Sequence, residues 1–232
     1  MKLKALIFDV DGTLAETEEA HRQAFNETFA DEGLDWYWSV EDYRRLLKTT
    51  GGKERMRAFR DEIGANSLTD TAIAGMHKRK TDRYAGLLSS GQLSLRPGVA
   101  DLIDEGRRGG LKIAVATTTN RPNVEALAQC CWGKSADEIF DVIAAGDEVG
   151  AKKPAPDVFL LALKRLGLPA DEAIAFEDSL NGVSSAKSAG LRVLVTPSAY
   201  TDHEDFSSAD WVVPSLASSD LPQEHFSALF NG

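Results

Sequence analysis

Apolar residues in this chain follow two rhythms. Ala5-Leu6-Ile7-Phe8 is a short unbroken apolar run, the pattern of a strand buried on both faces. The expected strand covers roughly 4–9, and two carboxylates, Asp9 and Asp11, stand at its end. Residues 17–93 change character and contain no convincing strand. Ala20, Ala24, Phe25, Thr28 and Phe29 share one helical face, and Val40, Tyr43, Leu46 and Leu47 share another. Met56, Phe59 and Ile63 mark a third helix, and Ile73, Met76, Tyr84, Leu87 and Leu88 a longer fourth. Gly33, Gly51-Gly52 and Gly64 punctuate the segment. Trp36, Tyr37 and Trp38 are expected to pack in its core or hinge.

From Arg96-Pro97-Gly98 onward strands alternate with helices. A helix over about 98–108 leads to the strand Leu111–Ala116, a Thr-Thr-Thr-Asn loop, and a helix from near Pro122. Val142–Ala145 is a strand, Pro154–Leu166 a helix with proline in its first turn, and Ala173–Phe176 a strand ending in Glu177-Asp178. Gly182–Ala189 is a helix with Gly190 past its end, and Arg192–Val195 and Trp211–Val213 are the last strands. The alternation predicts an α/β fold, a Rossmann-like parallel sheet covered on both faces. The helical stretch is then an insertion after the first strand. The expected division is a core of 1–16 and 94–232 with an inserted α-helical domain of 17–93.

Composition narrows the function. A net charge of −10 argues against non-specific binding of nucleic acid or anionic membrane, and an anionic substrate would need a local basic patch. No apolar run approaches the ~18 residues of a membrane span. The first strand begins within a few residues of Met1, which leaves no room for a signal or transit peptide. Cys130 and Cys131 are adjacent and cannot build a disulfide framework, so a reduced, cytoplasmic chain is expected. A monomer is the simplest expectation.

The chemistry gathers at strand ends, which share one edge of a parallel sheet. Two carboxylates ~4 Å apart at an effective dielectric of ~20 repel by about 4 kcal/mol. Either one is protonated or a cation sits between them. Asp9 and Asp11, Thr117, Lys153 and Glu177-Asp178 together offer hard-cation ligands, a hydroxyl and a lysine for phosphate oxygens. That set fits phosphoryl transfer to a carboxylate: Asp9 attacks phosphorus, and Asp11 protonates the leaving oxygen and then deprotonates water. Lys152 is a rival to Lys153 for the lysine role.

Asp9-Val10-Asp11-Gly12-Thr13, the strand ending at Thr117, Lys153-Pro154 and Glu177-Asp178 resemble the four motifs of the haloacid dehalogenase superfamily. Leu14-Ala15-Glu16-Thr17-Glu18, Thr49–Arg55, Ala116–Asn120 and Glu177–Gly182 resemble its CbbY-like branch of xylulose-1,5-bisphosphate phosphatases. That branch is associated with the Calvin cycle and related to β-phosphoglucomutase and phosphoglycolate phosphatase. The resemblance implies Asp9 as nucleophile and Asp11 as general acid/base. It implies Mg²⁺ held by Asp9, the Asp11 backbone carbonyl and Asp178, with Glu177 a further candidate. It also implies that Thr117, the Thr118 backbone and Lys153 hold the transferring phosphate, in a loop that continues through Thr119 and Asn120. It implies that the insertion is a mobile cap and that the partner is a small sugar bisphosphate. Candidates for the second phosphate and the sugar are Glu18, His21, Gly51, Gly52, Lys53, Arg55, His77 and Lys80. A phosphomutase, a phosphoglycolate phosphatase, a receiver-like module and a non-catalytic sugar-phosphate sensor are the alternatives.

Overall fold

Ala5–Phe8 forms β1, and all four side chains are fully buried. The reason is visible in the computed structural model, which describes residues 3–65, 67–89, 93–222, 224 and 226. After β1 come α1 (Glu18–Asp31), α2 (Val40–Leu46), α3 (Gly52–Glu62) and α4 (Asp70–Ser89). Then follow α5 (Val99–Arg108), β2 (Lys112–Ala116), α6 (Arg121–Trp132), α7 (Ala136–Ile139) and β3 (Val142–Ala144). The chain closes with α8 (Asp157–Leu166), β4 (Ala173–Glu177), α9 (Leu180–Ser188), β5 (Arg192–Val195) and β6 (Trp211–Val212). The strands form one sheet in the order β3-β2-β1-β4-β5-β6, every pair parallel.

β1 lies at the centre and alternates its side chains between two cores. Leu6 and Phe8 join Leu102 and Ile103 of α5 and Val124 and Leu127 of α6. Ala5 and Ile7 join Val158 and Phe159 of α8 and Val183 and Ala186 of α9. Burying each large side chain contributes about 1.5–3 kcal/mol, so the end of β1 is rigidly placed. Among the described residues no helix is long and apolar enough to cross a membrane.

The four helices after β1 have an aromatic core of their own, built on Phe25, Phe29, Trp36, Trp38 and Tyr43. Tyr200, from the loop after β5, completes it. Two chain segments join these helices to the sheet. They pair through an Ala15–Leu95 antiparallel bridge and an Arg96 N–H bond to the Leu14 carbonyl. The Arg96 guanidinium donates to the carbonyls of Gly12, Thr196 and Pro197 and pairs with Glu16. Other contacts close the helical unit onto the sheet edge. Thr50 Oγ1 donates to the Lys153 carbonyl, Asn181 to the Lys48 carbonyl, Arg44 to the Ala199 carbonyl and Tyr200 to Glu19.

Some expectations need correction. Trp36 and Trp38 are buried but Tyr37 is 66% exposed, because an extended run alternates its faces. Val40 and Ile63 are also exposed, since they stand at the first position of α2 and just past the end of α3. α8 starts at Asp157 rather than Pro154, because a residue preceding proline, here Ala155 before Pro156, is pushed out of helical geometry. α9 starts two residues early, where the Ser179 side chain accepts the Gly182 N–H. The short α7, four residues opened by a Ser135–Glu138 capping box, is an addition to the pattern read from the sequence.

Candidate active site

Because every strand runs the same way, the carboxyl ends of β1, β2 and β4 put their following residues on one edge. Asp9 follows β1 directly and its N–H bonds the Phe176 carbonyl, so the sheet register itself fixes the nucleophile candidate. Lys153 reaches the same point from the loop before α8. Its ammonium lies 2.6 Å from Asp9 Oδ1 and 2.6 Å from Glu177 Oε1, all three groups buried. Burial alone would lower the Lys153 pKa, but the two carboxylates overcome it and hold the lysine protonated.

Asp178 is buried beside this pair, accepts a long 3.4 Å contact from Thr201 Oγ1, and has no lysine or arginine partner among the described residues. Burial, then the charges of Asp9 and Glu177, push its pKa well up. Burial also raises Asp9, and raises Glu177 to about 7. One oxygen from each of Asp9, Glu177 and Asp178 can be chosen so that all lie within 4.8 Å of one another. Three hard oxygen donors, one with no cation of its own, fit a buried metal site for an ion of the Mg²⁺ type. Space around Asp178 is tight: a Cβ on Gly12, whose φ is +82°, would lie 2.1 Å from Asp178 Oδ2.

Asp11 turns its side chain the other way. Thr17 Oγ1 donates to Asp11 Oδ1 at 2.6 Å, and His21 Nε2 is 3.0 Å from the same oxygen. The other ring nitrogen of His21 meets Lys80 Nζ. Burial, then Lys80, lowers the His21 pKa, so the ring is neutral. The tautomer that satisfies both contacts accepts from Lys80 at Nδ1 and donates to Asp11 from Nε2–H. His21 is stacked on Tyr84 with centroids 3.9 Å apart, which fixes the ring plane. Burial would raise Asp11, yet the hydrogen bonds from His21 and Thr17 and the charge of Lys80 outweigh it and hold the carboxyl below the usual carboxylate range. Burial lowers Lys80 to about 7, against the raising effect of Asp11 and Glu18.

A cavity of about 230 Å³ separates the sheet edge from the helices. From the sheet side it is lined by Asp9, Asp11, Lys153 and Asp178 and by the loop residues Thr118, Thr119 and Asn120. From the helices come Glu18, His21, Gly51, Gly52, Lys53, Arg55, His77 and Lys80. Thus nearly all the residues singled out in the sequence meet at one cavity. Thr117 and Glu177 are the exceptions: each is 1% exposed and absent from the lining, and Thr117 Oγ1 accepts the Thr119 N–H. His77 is driven down to about 3 by burial and by Lys80, Lys53 and Lys152, so it stands neutral among cations.

Several groups at the site escaped the sequence reading. Tyr43 looks like one more core aromatic, but its hydroxyl donates to Glu18 and accepts from the buried Arg55. Thr17 matters through a single hydroxyl. Asn123 lines the cavity and donates to Thr119 Oγ1. Lys152, named in the sequence as a rival to Lys153, lines the cavity as well.

Comparison with known proteins agrees with this geometry. A family profile described as haloacid dehalogenase-like hydrolase matches residues 3–190. Protein CbbY of Rhodobacter capsulatus is 62% identical over 219 residues, covering 94% of this chain and 96% of its own length. The crystal structure of CbbY from Rhodobacter sphaeroides in complex with phosphate superposes with a TM-score of 0.88 at 54% identity, covering 93% of this chain and 96% of that one. A mutant of that protein, in complex with xylulose-(1,5)bisphosphate, matches with the same TM-score at 53% identity and the same coverage. A β-phosphoglucomutase from Clostridium difficile, at 22% identity and a TM-score of 0.78, shares the fold.

Proposed function

The chain belongs to the haloacid dehalogenase-like hydrolases, and from that premise we propose that it is a magnesium-dependent sugar-bisphosphate phosphatase. Its preferred substrate is xylulose 1,5-bisphosphate, hydrolysed to xylulose 5-phosphate and phosphate. The observation that carries the reading is one cavity walled by two kinds of group. Asp9, Asp11 and Lys153 stand on the sheet side, and Lys53, Arg55 and Lys80 on the helical side. The first set suits a phosphoryl group being transferred; the second suits the remainder of an anionic substrate. The relative that holds xylulose bisphosphate, 53% identical, supports the choice of sugar.

In this reading residues 17–93 are a cap over a core of 1–16 and 94–232. Asp9, Asp178 and the Asp11 backbone carbonyl would hold Mg²⁺, with Glu177 beside them. When bound, the ion offsets the repulsion between carboxylate and phosphate and stabilises charge on the transferring group. Thr117, the Thr118 backbone and Lys153 orient that group, with Lys153 bridging Asp9 and the phosphate. An Asp9 carboxylate oxygen attacks phosphorus, the bond to the sugar oxygen breaks, and Asp11 protonates that oxygen. Asp11 is ionised at rest, so its proton comes along the line from Lys80 through His21: Nδ1 takes one proton as Nε2 gives another. Water then attacks the aspartyl-phosphate, Asp11 takes its proton, and phosphate leaves Asp9. Cap closure excludes water during the first transfer.

The test is phosphate release, with Mg²⁺, from xylulose 1,5-bisphosphate, ribulose 1,5-bisphosphate, phosphoglycolate and β-glucose 1-phosphate. The expected result is strong preference for the xylulose bisphosphate and none of the activity in Asp9→Asn. Equal rates on all four would remove the substrate assignment, and release surviving in Asp9→Asn would remove the mechanism.

A further inference from the structure

Two lysines stand side by side before Pro154, and their surroundings differ sharply. The Lys153 ammonium is held by two carboxylates at 2.6 Å, which leaves one N–H free, and its side chain is 4% exposed. The Lys152 ammonium is on the cavity wall with its side chain 20% exposed. Its nearest partners are marginal: the Thr118 carbonyl at 3.4 Å and Glu54 Oε2 at 4.0 Å. That glutamate oxygen is itself buried without a hydrogen-bond donor, so the two groups are neighbours that have not paired. A charge held near, but not on, its partners can turn to a ligand at small cost.

The stem of Lys152 is fixed where the head is not. A Cβ built on Gly51 would fall 2.7 Å from Lys152 Cδ and 2.9 Å from Cε, so the methylenes lie directly against the turn that begins α3. Lys152 therefore crosses from the sheet-side loop to the helical side and presents its ammonium beside the amino end of that 11-residue helix. Lys53, in the first turn of α3, adds a second cation; Glu54 and Asp147 are the acidic groups that face Lys152. Burial, and then Lys53, lower the Lys152 pKa, a strain that a bound dianion relieves.

We propose that Lys152 is a ligand of the phosphate that is not transferred, and that it sets the preference for a bisphosphate over a monophosphate. The proposal rests on the sugar-bisphosphate reading above. It gives the adjacent lysines separate tasks: Lys153 serves the reacting phosphoryl group and Lys152 the one retained in the product. Gly51 itself is required by its φ of +88°, and a Cβ there would meet Glu54 Oε2 at 2.3 Å before it met the Lys152 stem.

The experiment compares kcat/KM for xylulose 1,5-bisphosphate and xylulose 1-phosphate in the full-length wild type, Lys152→Gln and Lys152→Arg, each checked by thermal melting. A lost charge-assisted contact corresponds to roughly a 10- to 100-fold effect. The expected result is that Lys152→Gln lowers the ratio of the two kcat/KM values by that amount, mainly through KM for the bisphosphate, and that Lys152→Arg restores most of it. A ratio within threefold of wild type in Lys152→Gln, or equal losses on both substrates, overturns the proposal alone. Wild type that releases phosphate from neither sugar overturns the underlying reading and the proposal with it.

Discussion

Gly12→Ala is the sharpest test of the metal-site geometry, because one methyl group is aimed at one carboxylate. The new Cβ would sit 2.1 Å from Asp178 Oδ2 and 2.6 Å from its Cγ, with Ser198 Cβ at 3.2 Å behind. Non-bonded heavy atoms settle near 3.5 Å, so the carboxylate has to retreat by more than about 1 Å. Misplacing a catalytic group by that distance costs on the order of 100-fold in rate. The substitution also places alanine at a left-handed φ of +82°, which costs about 1–2 kcal/mol. In a chain of this length that corresponds to a fall in Tm of about 2–8 °C. Gly64→Ala separates the two effects: its φ is +70° but nothing lies within 4 Å of the new Cβ. The assay is steady-state phosphate release over a Mg²⁺ titration, with melting curves of both variants. Gly12→Ala is expected to lose about 100-fold in kcat/KM and to need more Mg²⁺, while Gly64→Ala shares the drop in Tm and keeps its rate. Gly12→Ala turning over within threefold of wild type would refute the reasoning, as would an equal loss in Gly64→Ala.

Further outcomes follow from the buried charges. Mg²⁺ should raise Tm, because an ion bound only by the folded chain stabilises it, and Asp178→Asn should abolish the rise; a rise that persists would put the ion elsewhere. Lys80 has a folded pKa of about 7, below the 10.5 of a free lysine. It therefore subtracts stability below pH 7, and the penalty fades as the pH climbs toward 10.5. Lys80→Met should melt higher than wild type at pH 6 yet lose activity; a lower Tm would contradict the sign. Wild-type kcat/KM should fall as pH rises through 7 and Lys80 loses its proton, and a profile flat to pH 9 would remove the proton line through His21. Lys153→Met removes the ammonium between buried Asp9 and Glu177, so it should lose at least ~1000-fold in rate and melt several degrees lower, checked by the same two assays.

The sheet and its reactive edge were legible because each depends on local pattern. An unbroken apolar run followed by Asp9 and Asp11 announces a buried strand and what it presents, whereas Lys153 is picked out by the resemblance of Lys153-Pro154 to the family motif. Hidden groups act at a distance in sequence. Arg96, beside Pro97-Gly98, reads as part of a turn, yet its guanidinium bridges residues 84 and 101 positions away. Tyr43 keeps helical spacing with apolar neighbours because its ring is packed among them; only its hydroxyl, between Glu18 and Arg55, belongs to the site. Tyr37 shows the reverse: an aromatic residue between two buried tryptophans reads as core until the extended backbone turns it outward.

The clasp made by Arg96 has a mechanical consequence. Both segments that lead to the four helices, and the loop holding Gly12, are tied to one guanidinium. Such a point is a fulcrum, and displacement in a rigid rotation grows with distance from the fulcrum. A hinge rotation of ~15° carries a group ~20 Å away through about 5 Å but shifts one ~4 Å away by only about 1 Å. If residues 17–93 act as the cap proposed above, Lys53 and Arg55 on α3 would travel farther than Asp9 and Gly12, which stay with the sheet. On the proposed reading, a cap turning about this point would open for substrate without disturbing the alignment of Asp9.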